Sequence, residues 1–494
     1  MSHLADLPTK ASSRAASWHR GILAVQGLSL LLAWGSYATL ERIGEDSSFI
    51  SAALTIQFAW SLASWRLLGR RLLEPYPLFL VSMGLFHAAQ SFLDTFGLLE
   101  HRILAGLVSA EAVVESLYIV LIALAALHLG AVLAVVRLRV AKQLGTVADE
   151  GTVEETARGL ARALVIVAGI PTVILIVEGL SIFSVSGTIG LYQQQVRANV
   201  DAAPVVIGTF LVPAALFGIA THRRRFEAFI YTGVILAFSA SQMLLGVRST
   251  ALMPLAALAW LWDVRIKRLP RAAMVAAGFF VLGVLNPLVA IVRSEPTGLS
   301  GLMAAYSARF DSLLRAPIAA LVEFGGTLQC LACTVILVPF ERAYDLGASY
   351  AYALLTIFPN LGSGLHPTIE HGTLSDWLVW RVDPYWAAQR GGLGFSAIAE
   401  AYLNFGVSGV VFVMTLIGFA LQMLVGWAER HQGHARLAVV ASVLAVILRF
   451  PRDESASMVR YLVWYSFAPY ALVVLIARFR AARRASTEAE TPVA

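Results

Sequence analysis

Arginines beside apolar runs are the side chains of this sequence best suited to chemistry. In segments such as LLGVRSTAL and VILRFPRDES an arginine borders strongly apolar sequence. A guanidinium is always charged and its planar fork matches phosphate oxygens, so several arginines at one interface would suit a lipid-linked phosphate or pyrophosphate. Arg248, Arg449 and Arg452 are the strongest candidates because each lies at the end of an apolar run. The predicted phosphate-binding residues are Arg248, Arg293, Arg309, Arg390, Arg449, Arg452 and Arg460.

A simpler explanation exists for any single arginine of this set. It snorkels to the membrane surface, or it pairs with a neighbouring acid such as Glu295, Asp311, Asp453 or Glu454. For the whole set this explanation is weaker, because arginine near a bilayer is costly unless it is paired or functional. The set therefore favours a site for an anionic group.

A second constellation joins a glycine-rich turn to a helix in RGGLGFSAIAEAYLNFGVSGVVF, residues 390–412. The glycines of the turn permit a close approach of the backbone. At helical spacing Ser396, Glu400 and Asn404 share one face, which aligns a hydroxyl, a carboxylate and an amide. Polar packing between helices is the alternative explanation for the same three side chains.

This segment resembles the signature of the Wzy-type O-antigen polymerases, which join the oligosaccharide repeat units of bacterial surface polysaccharides. The layout of that family is similar as well, with many spans, a large periplasmic loop immediately before the GG-GFS-AEAYLNFG-like helix, and arginines near the outer ends of late spans, here in RFPRDES. In specific residues the resemblance covers a minor part of the chain. Elsewhere it is a resemblance of architecture.

The resemblance implies polymerisation at the periplasmic face of the bacterial inner membrane, with undecaprenyl-pyrophosphate-linked oligosaccharide as both donor and acceptor. Diphosphate is an activated leaving group, so the protein has to position two lipid-linked sugars and stabilise the charge on the departing diphosphate. Arginines can do this without a metal, and no cofactor is expected. The resemblance also implies a polysaccharide chain-length regulator as a partner, in addition to membrane lipid.

Such a transfer also needs a base for the proton of the acceptor hydroxyl. The candidates are Glu400, His366, His371 and Asp383, with Glu400 favoured by its place in the motif and His366 by a pKa near neutrality and a position in a loop able to close over substrate. Glu400 could equally hold an arginine in place. The two histidines lack a third ligand at recognisable spacing, so no metal site is predicted.

Composition determines the kind of fold that must position these groups. Of the 494 residues 58% are hydrophobic and 14% charged, with a mean hydropathy of +0.73, whereas soluble domains carry about 25% charged residues. Apolar runs long enough to cross a bilayer predict an all-α polytopic membrane protein of about twelve transmembrane helices. The predicted spans lie near residues 21–40, 48–65, 76–94, 113–136, 161–183, 203–220, 228–245, 249–264, 272–292, 405–427, 436–449 and 459–477.

Basic clusters predict the orientation, because short cytoplasmic loops are rich in Lys and Arg. With both termini inside, the clusters RLLGRRLLEP, RLRVAKQ, THRRRFE, DVRIKRLPR and WAERHQGHAR all fall in the cytoplasm. The apolar segment 316–340 then lies within the large outer loop, where a re-entrant or interfacial helical pair split near Gly325 and Gly326 is expected. The predicted division is a cytoplasmic tail at 1–20, nine spans in 21–292, the periplasmic loop 293–395, three spans in 396–477 and a cytoplasmic tail at 478–494.

Two other functions fit part of the pattern. An O-antigen ligase would use the same lipid-linked donor, but the motif of residues 390–412 favours a polymerase. A transporter or flippase of a lipid-linked or anionic substrate would need polar groups near the bilayer midplane, where this chain has only scattered ones. Nucleic acid is not an expected partner, because the basic residues form short clusters between apolar runs.

Overall fold

The computed structural model describes residues 10–39, 47–140, 150–197, 202–294, 299–310, 315–358, 372–389, 391–430 and 433–490. Helix is the only regular secondary structure in these residues, which confirms the all-α prediction. The cause lies in the solvent. In hydrocarbon every backbone N–H and C=O needs a partner inside the chain, and a helix supplies it within one segment.

The helices of the first half are α1 Lys10–Ala38, α2 Ser48–Leu67, α3 Pro75–His87, α4 Ala89–Thr95, α5 Ala110–Val140, α6 Glu150–Arg197, α7 Ala202–Gly208, α8 Leu211–Thr221 and α9 Arg225–Leu244. They are followed by α10 Arg248–Arg265, α11 Arg271–Phe280, α12 Asn286–Ser294, α13 Leu299–Arg309, α14 Arg315–Gly325, α15 Leu328–Leu337 and α16 Ala348–Leu355. The last are α17 Leu374–Val382, α18 Pro384–Ala388, α19 Ala397–Arg430, α20 His434–Ile447, α21 Ser455–Tyr461 and α22 Ala468–Glu490. Short π-helical stretches join α11 to α12 and α21 to α22.

In the part of the chain that the structure describes, ten helices are long and apolar enough to cross a membrane. The number becomes eleven if α3 and α4, which meet at a bend of 75°, form one broken span. The polytopic architecture is thus confirmed, with slightly fewer spans than the twelve predicted. Composition explains the difference.

Two predicted spans, α2 and α10, are helices that are too polar to count among these candidates. α2 carries four serines and Gln57, which lower its hydropathy, and α10 carries three charged residues, Arg248, Asp263 and Arg265. Conversely, Arg315–Leu337 counts as a candidate span. Its helices are split at the predicted place, since α14 ends at Gly325 and α15 begins at Leu328.

The helices form two compact units. The first unit comprises residues 1–143, 325–347 and 398–426, and so contains α1 to α5, α15 and most of α19. The second unit comprises residues 144–324, 348–397 and 427–494 and contains the other helices. Each unit is built around one largely buried helix, α5 in the first and α8 in the second.

α5 is the central helix of the first unit. The helices α1, α2, α3 and α15 pack against it, and 83% of its most apolar window is buried. Glycine allows α19 to approach α5 closely, since a Cβ on Gly418 would overlap the backbone of Leu127. Small residues have this role in membranes because close backbone contact replaces the hydrophobic driving force that water provides.

A buried histidine ties three helices of the first unit together. His128 of α5 has Nε2 2.7 Å from Oγ of Ser64 in α2 and Nδ1 2.6 Å from the hydroxyl of Tyr76 in α3. All three residues are fully buried. Leaving a polar group unpaired in hydrocarbon costs several kcal/mol, roughly 4 to 8 for transfer to cyclohexane. The network therefore favours the one packing of the three helices in which all three groups are paired. We interpret the serine and histidine as a packing contact and not as a nucleophile with its base.

α8 has the corresponding position in the second unit. All eleven of its residues are buried, and α6, α9, α10 and α20 pack around it. α10 and α20 also pack against each other. This contact decides where the arginines at their ends lie.

Replacing Gly418 by alanine tests the close packing of α5 and α19. We expect Gly418→Ala to lower the free energy of unfolding by about 1–3 kcal/mol, because the new methyl group meets a backbone carbonyl that cannot turn away. Thermal unfolding of the detergent-purified protein measures the change. Gly27→Ala is the matched control, since nothing lies within 4 Å of a Cβ at Gly27. Equal melting temperatures for the two variants would contradict the packing.

Candidate functional site

Arg248 and Arg449 of the second unit lie at one end of the packed helices α10 and α20. At the other end, His434, the first residue of α20, is hydrogen-bonded to Glu154, and Arg265 at the end of α10 is within electrostatic range of the same carboxylate. Since the start of α20 and the end of α10 lie near one carboxylate and the two helices pack side by side, they run antiparallel. Arg248 at the start of α10 and Arg449 just after α20 therefore lie on the same side of the pair. We call this the arginine end of the second unit.

Two guanidinium groups at the arginine end share one aromatic ring. Cζ of Arg449 lies 5.5 Å from the ring centroid of Tyr461, and Cζ of Arg460 lies 6.0 Å from it. Nε of Arg449 is 2.8 Å from Oδ2 of Asp453. The ring face and the carboxylate offset part of the repulsion between two like charges. For Arg449 the simpler explanation therefore holds, because this arginine is paired with Asp453.

Arg452, in the loop after α20, lies against the glycine-rich turn. A Cβ built on Gly394 would be 3.6 Å from Nε of Arg452, and Gly394 has φ +73°, a conformation that side chains strongly disfavour. At Gly391 there is no room for a Cβ, because the ring of Trp386 packs on it. Gly391 therefore serves the close approach that the motif predicts, whereas Gly394 is required by its backbone angle.

Two hydrogen bonds join the residues between α16 and the motif to the residues that follow α20. Glu454, 3% exposed, accepts a hydrogen bond of 2.6 Å from the backbone N–H of Leu374 in α17. Nε1 of Trp464 donates to the carbonyl of Ile357 at 2.7 Å. A carboxylate on a backbone donor is a strong, charge-assisted bond. The loop that carries the arginines and the segment before the motif thus hold each other.

Arg248 is already paired with an acid. Its Nη1 lies 2.7 Å from Oε1 of Glu323 in α14, and the arginine side chain is 12% exposed whereas that of Glu323 is 46% exposed. A more exposed partner can turn towards water more readily than a buried one. The pair can therefore open at its glutamate side when another anion reaches Arg248.

The motif helix α19 breaks in the first unit at Phe405 and Gly406. Gly406 has φ +62° and ψ −154°, a region open in practice to glycine alone. The break frees the carbonyls of Leu403 and Asn404, which then accept hydrogen bonds of 3.0 and 3.1 Å from the backbone of residues 345 and 346. The loop 345–347 is thus a strap that replaces the missing helical hydrogen bonds.

Asn404 completes this strap. Its Oδ1 accepts a hydrogen bond of 2.8 Å from Gly347 N, and its Nδ2 donates to the carbonyl of Glu400 at 2.8 Å. Asn404 is fully buried and so is Ser396, while Glu400 is 1% exposed. Glu400 and Asn404 lie on successive turns of α19, and Ser396 precedes its first residue. Polar packing thus accounts for Asn404.

The remaining predicted site residues are distributed as follows. Arg309 is exposed at the end of α13, and Arg293 lies in α12 with a side chain outside the described part of the chain. His366, His371 and Arg390 also lie outside the described residues. The carboxylate of Asp383 accepts from Trp386 N at 2.9 Å and so caps α18.

Two contributors to the arginine end escape the sequence reasoning. Glu323 stands alone in the apolar run ALVEFGG, and a lone acid in such a run is itself a signal for a basic partner. Tyr461 carries no such signal, because aromatic residues at span ends are commonly interfacial anchors. Among the described residues, no group of three His, Cys, Asp or Glu side chains is arranged to hold a metal ion.

Alanine at Gly406 tests the break in α19. We expect Gly406→Ala to cost about 1–3 kcal/mol of stability, because alanine is strained at the backbone angles of this position. Thermal unfolding in detergent gives the value, with Gly233→Ala in α9 as the control, since a Cβ there has no neighbour within 4 Å. A variant as stable as the wild type would show that α19 is continuous.

Comparison with known proteins assigns the family. No curated protein matches the chain, and no solved structure does. One family model, described as O-antigen polysaccharide polymerase Wzy, matches residues 44–483. That match covers the arginine end, the glycine-rich turn and the strap, and it leaves only the two ends of the chain outside. The chain belongs to the Wzy family of O-antigen polysaccharide polymerases, glycosyltransferase-type proteins that span the bacterial inner membrane many times.

Proposed function

We propose that this protein joins undecaprenyl-pyrophosphate-linked repeat units and that its arginine end binds the diphosphate of the donor. The observation that carries the proposal is the position of Arg449 and Arg452 in the short loop after α20 and of Arg460 in α21, the helix that follows this loop. Arg449 and Arg460 share the ring of Tyr461, and Arg452 lies beside the glycine-rich turn. Arg248 lies at the same end of the packed helices α10 and α20.

The reaction is a single transfer at the anomeric carbon. An acceptor hydroxyl oxygen attacks this carbon, the bond from carbon to the diphosphate oxygen breaks, and its electron pair leaves with the diphosphate. Negative charge therefore grows on the leaving oxygens, where fixed positive groups lower the barrier most. Guanidinium groups supply that charge together with directed N–H donors, so we propose a metal-independent reaction.

The acids beside these arginines keep the site stable when no substrate is bound. Asp453 lies next to Arg449 and Glu323 next to Arg248, each offering one carboxylate. A guanidinium has five N–H donors, so an oxygen of Asp453 engages only part of the Arg449 fork. A diphosphate with several negative oxygens can then bind the same guanidinium beside or in place of the acid.

The proton of the acceptor hydroxyl needs a base, and we propose Glu400, with His366 as the alternative. Glu400 is a carboxylate of the family motif, placed one turn before the break in α19. Its side chain is 1% exposed and is therefore shielded from bulk water.

We place the arginine end at the periplasmic face and both termini in the cytoplasm. The support is charge distribution. The opposite ends of α10 and α20 adjoin the basic loops THRRRFE, DVRIKRLPR and WAERHQGHAR, and such loops stay in the cytoplasm. At that face a chain-length regulator would be a further partner, as the resemblance to the family implies.

Alanine at Arg449 or Arg452 should abolish long glycans. We expect a loss of polymerisation of roughly 10²–10³-fold for each variant, as for removal of one donor to a developing oxyanion. The measurement is the glycan ladder of a strain that lacks the gene and is complemented by each variant at equal membrane abundance. Arg478→Ala in α22 is the matched control, because Arg478 is exposed and lies far along the chain from the loop. Wild-type ladders from both variants would overturn the proposal.

Glu323→Gln separates ligand binding from structural pairing at Arg248. If Arg248 binds diphosphate, Glu323→Gln keeps the ladder while Arg248→Ala loses it, because the amide releases the guanidinium for substrate. Equal loss in both variants, with equal loss of thermal stability, would assign the pair a structural role and remove Arg248 from the site.

A further inference from the structure

Four side chains from four separate segments meet in the first unit, and none of them is among the site residues predicted from the sequence, although Tyr402 lies within the motif segment 390–412. Tyr37 donates a hydrogen bond of 2.9 Å from its hydroxyl to Oε1 of Glu115. The rings of Tyr344 and Tyr402 lie 6.2 Å apart at 69° to each other. Tyr402 is within electrostatic range of the other three. We call this group the tyrosine–carboxylate cluster.

The cluster lies where helices end. Tyr37 is the residue before the last of α1, Glu115 is in the second turn of α5, and Tyr402 precedes the break in α19. Tyr344 belongs to the loop after α15, next to the strap. In the proposed topology all four segments border the periplasm, which is the side on which repeat units are joined.

The backbone just after Tyr344 adopts angles that are unfavourable for residues other than glycine. Leu346 has φ +49° and Gly347 φ +94°, both in the left-handed region, and such residues concentrate at functional sites because the surrounding structure must hold them there. A Cβ on Gly406 would lie 3.3 Å from the hydroxyl of Tyr344. The break in α19 thus has a second consequence, since it makes room for this phenol.

The accessible polar groups of the cluster are hydroxyls and a carboxylate. Tyr37, Glu115 and Tyr344 are partly exposed, and Tyr402 is buried behind them. A carboxylate and phenol hydroxyls accept and donate hydrogen bonds to hydroxyl groups, while the aromatic rings offer an apolar face. The charge of Glu115 disfavours an anion. Arg342, two residues before Tyr344, donates hydrogen bonds from Nε and Nη2 to the two carboxylate oxygens of Asp345, at 3.0 and 2.7 Å. This nearby guanidinium is therefore engaged by an acid.

We propose that the tyrosine–carboxylate cluster is a glycan subsite, which binds an uncharged, hydroxyl-rich sugar ring of a repeat unit. The inference rests on the proposed function, since it assigns to that reaction a site for sugar in addition to the site for diphosphate. Glu115 takes hydrogen bonds from sugar hydroxyls, and the ring of Tyr344 packs on the C–H face of the sugar. The hydrogen bond from Tyr37 holds the Glu115 carboxylate in position.

Binding of free glycan tests the subsite without the arginines. The probe is the single-repeat oligosaccharide of a strain that lacks this protein, released from its lipid diphosphate by mild acid, and the full-length protein is used in lipid nanodiscs. We expect Glu115→Gln and Tyr344→Ala each to weaken binding at least tenfold in a calorimetric titration. Because the probe has no diphosphate, its binding is independent of the arginine end.

Tyr118→Phe is the control variant. Tyr118 lies on α5 three residues from Glu115, is 1% exposed, and its hydroxyl has no hydrogen-bond partner in the described part of the chain. It should bind the probe as the wild type does. Tyr344→Phe keeps the ring and the fold, so it distinguishes a lost contact from a misfolded protein. We expect an intermediate loss of binding for this variant.

The outcomes are distinct for the subsite and for the proposed function. Wild-type binding by Glu115→Gln and Tyr344→Ala, or no binding of the probe by the wild type, overturns the subsite. Loss of binding in these variants together with an unchanged melting temperature supports it, even if Arg449→Ala forms normal ladders and the role of the arginines fails. Loss that follows the melting temperature in every variant assigns the cluster to packing and overturns the proposal.

Discussion

Satisfaction of backbone hydrogen bonds is the constraint on which the rest of this structure depends. A chain that lies mostly in hydrocarbon has no water to receive a free N–H or C=O, so it is helical wherever it crosses. A helix can break only where another backbone supplies the missing partners. In α19 the break at Gly406 is possible because the strap 345–347 donates to the carbonyls that the break releases.

That constraint connects the family motif to structure in an unexpected way. The residues AEAYLNFG read as a polar helix face with catalytic potential, yet Asn404 and Gly406 build the break and its strap. The GG-GFS part of the motif has a comparable role, since Gly394 adopts a positive φ beside Arg452 and Gly391 accepts the ring of Trp386. Much of the motif therefore shapes backbone around charged and aromatic side chains. Glu400 is left as the member with a reactive group.

Charge in this protein is concentrated at the ends of helices, as the cost of burying it demands. Two of the predicted arginines, Arg449 and Arg452, occupy the loop after α20, and Arg460 follows in α21. Tyr461 and Asp453 contact Arg449, and Arg248 pairs with Glu323. Surface ion pairs contribute little stability, about 0–1 kcal/mol each. Such pairs are weak enough to exchange for a multiply charged ligand.

Several features could be read from residue types alone. Hydropathy predicts the all-α membrane architecture, and the spacing of apolar runs locates most spans, because about 20 residues are needed to cross a bilayer. It is ambiguous at α2 and α10, helices whose polar residues keep them out of the count of candidate spans, and at 315–337, where the decision about crossing depends on what surrounds the segment. The split near Gly325 is predictable because two adjacent glycines favour a helix end.

The sequence by itself determined that this protein is a helical membrane protein of the Wzy type, with arginines at the edges of its spans. Tertiary structure decided on which side those arginines lie, since the antiparallel packing of α10 and α20 places Arg248 and Arg449 at the same end of the pair. It also decided the strap across α19 and the cluster around Glu115, which join segments far apart along the chain. The physical reason is that hydropathy and spacing report local preference, whereas contacts between distant segments depend on how helices pack.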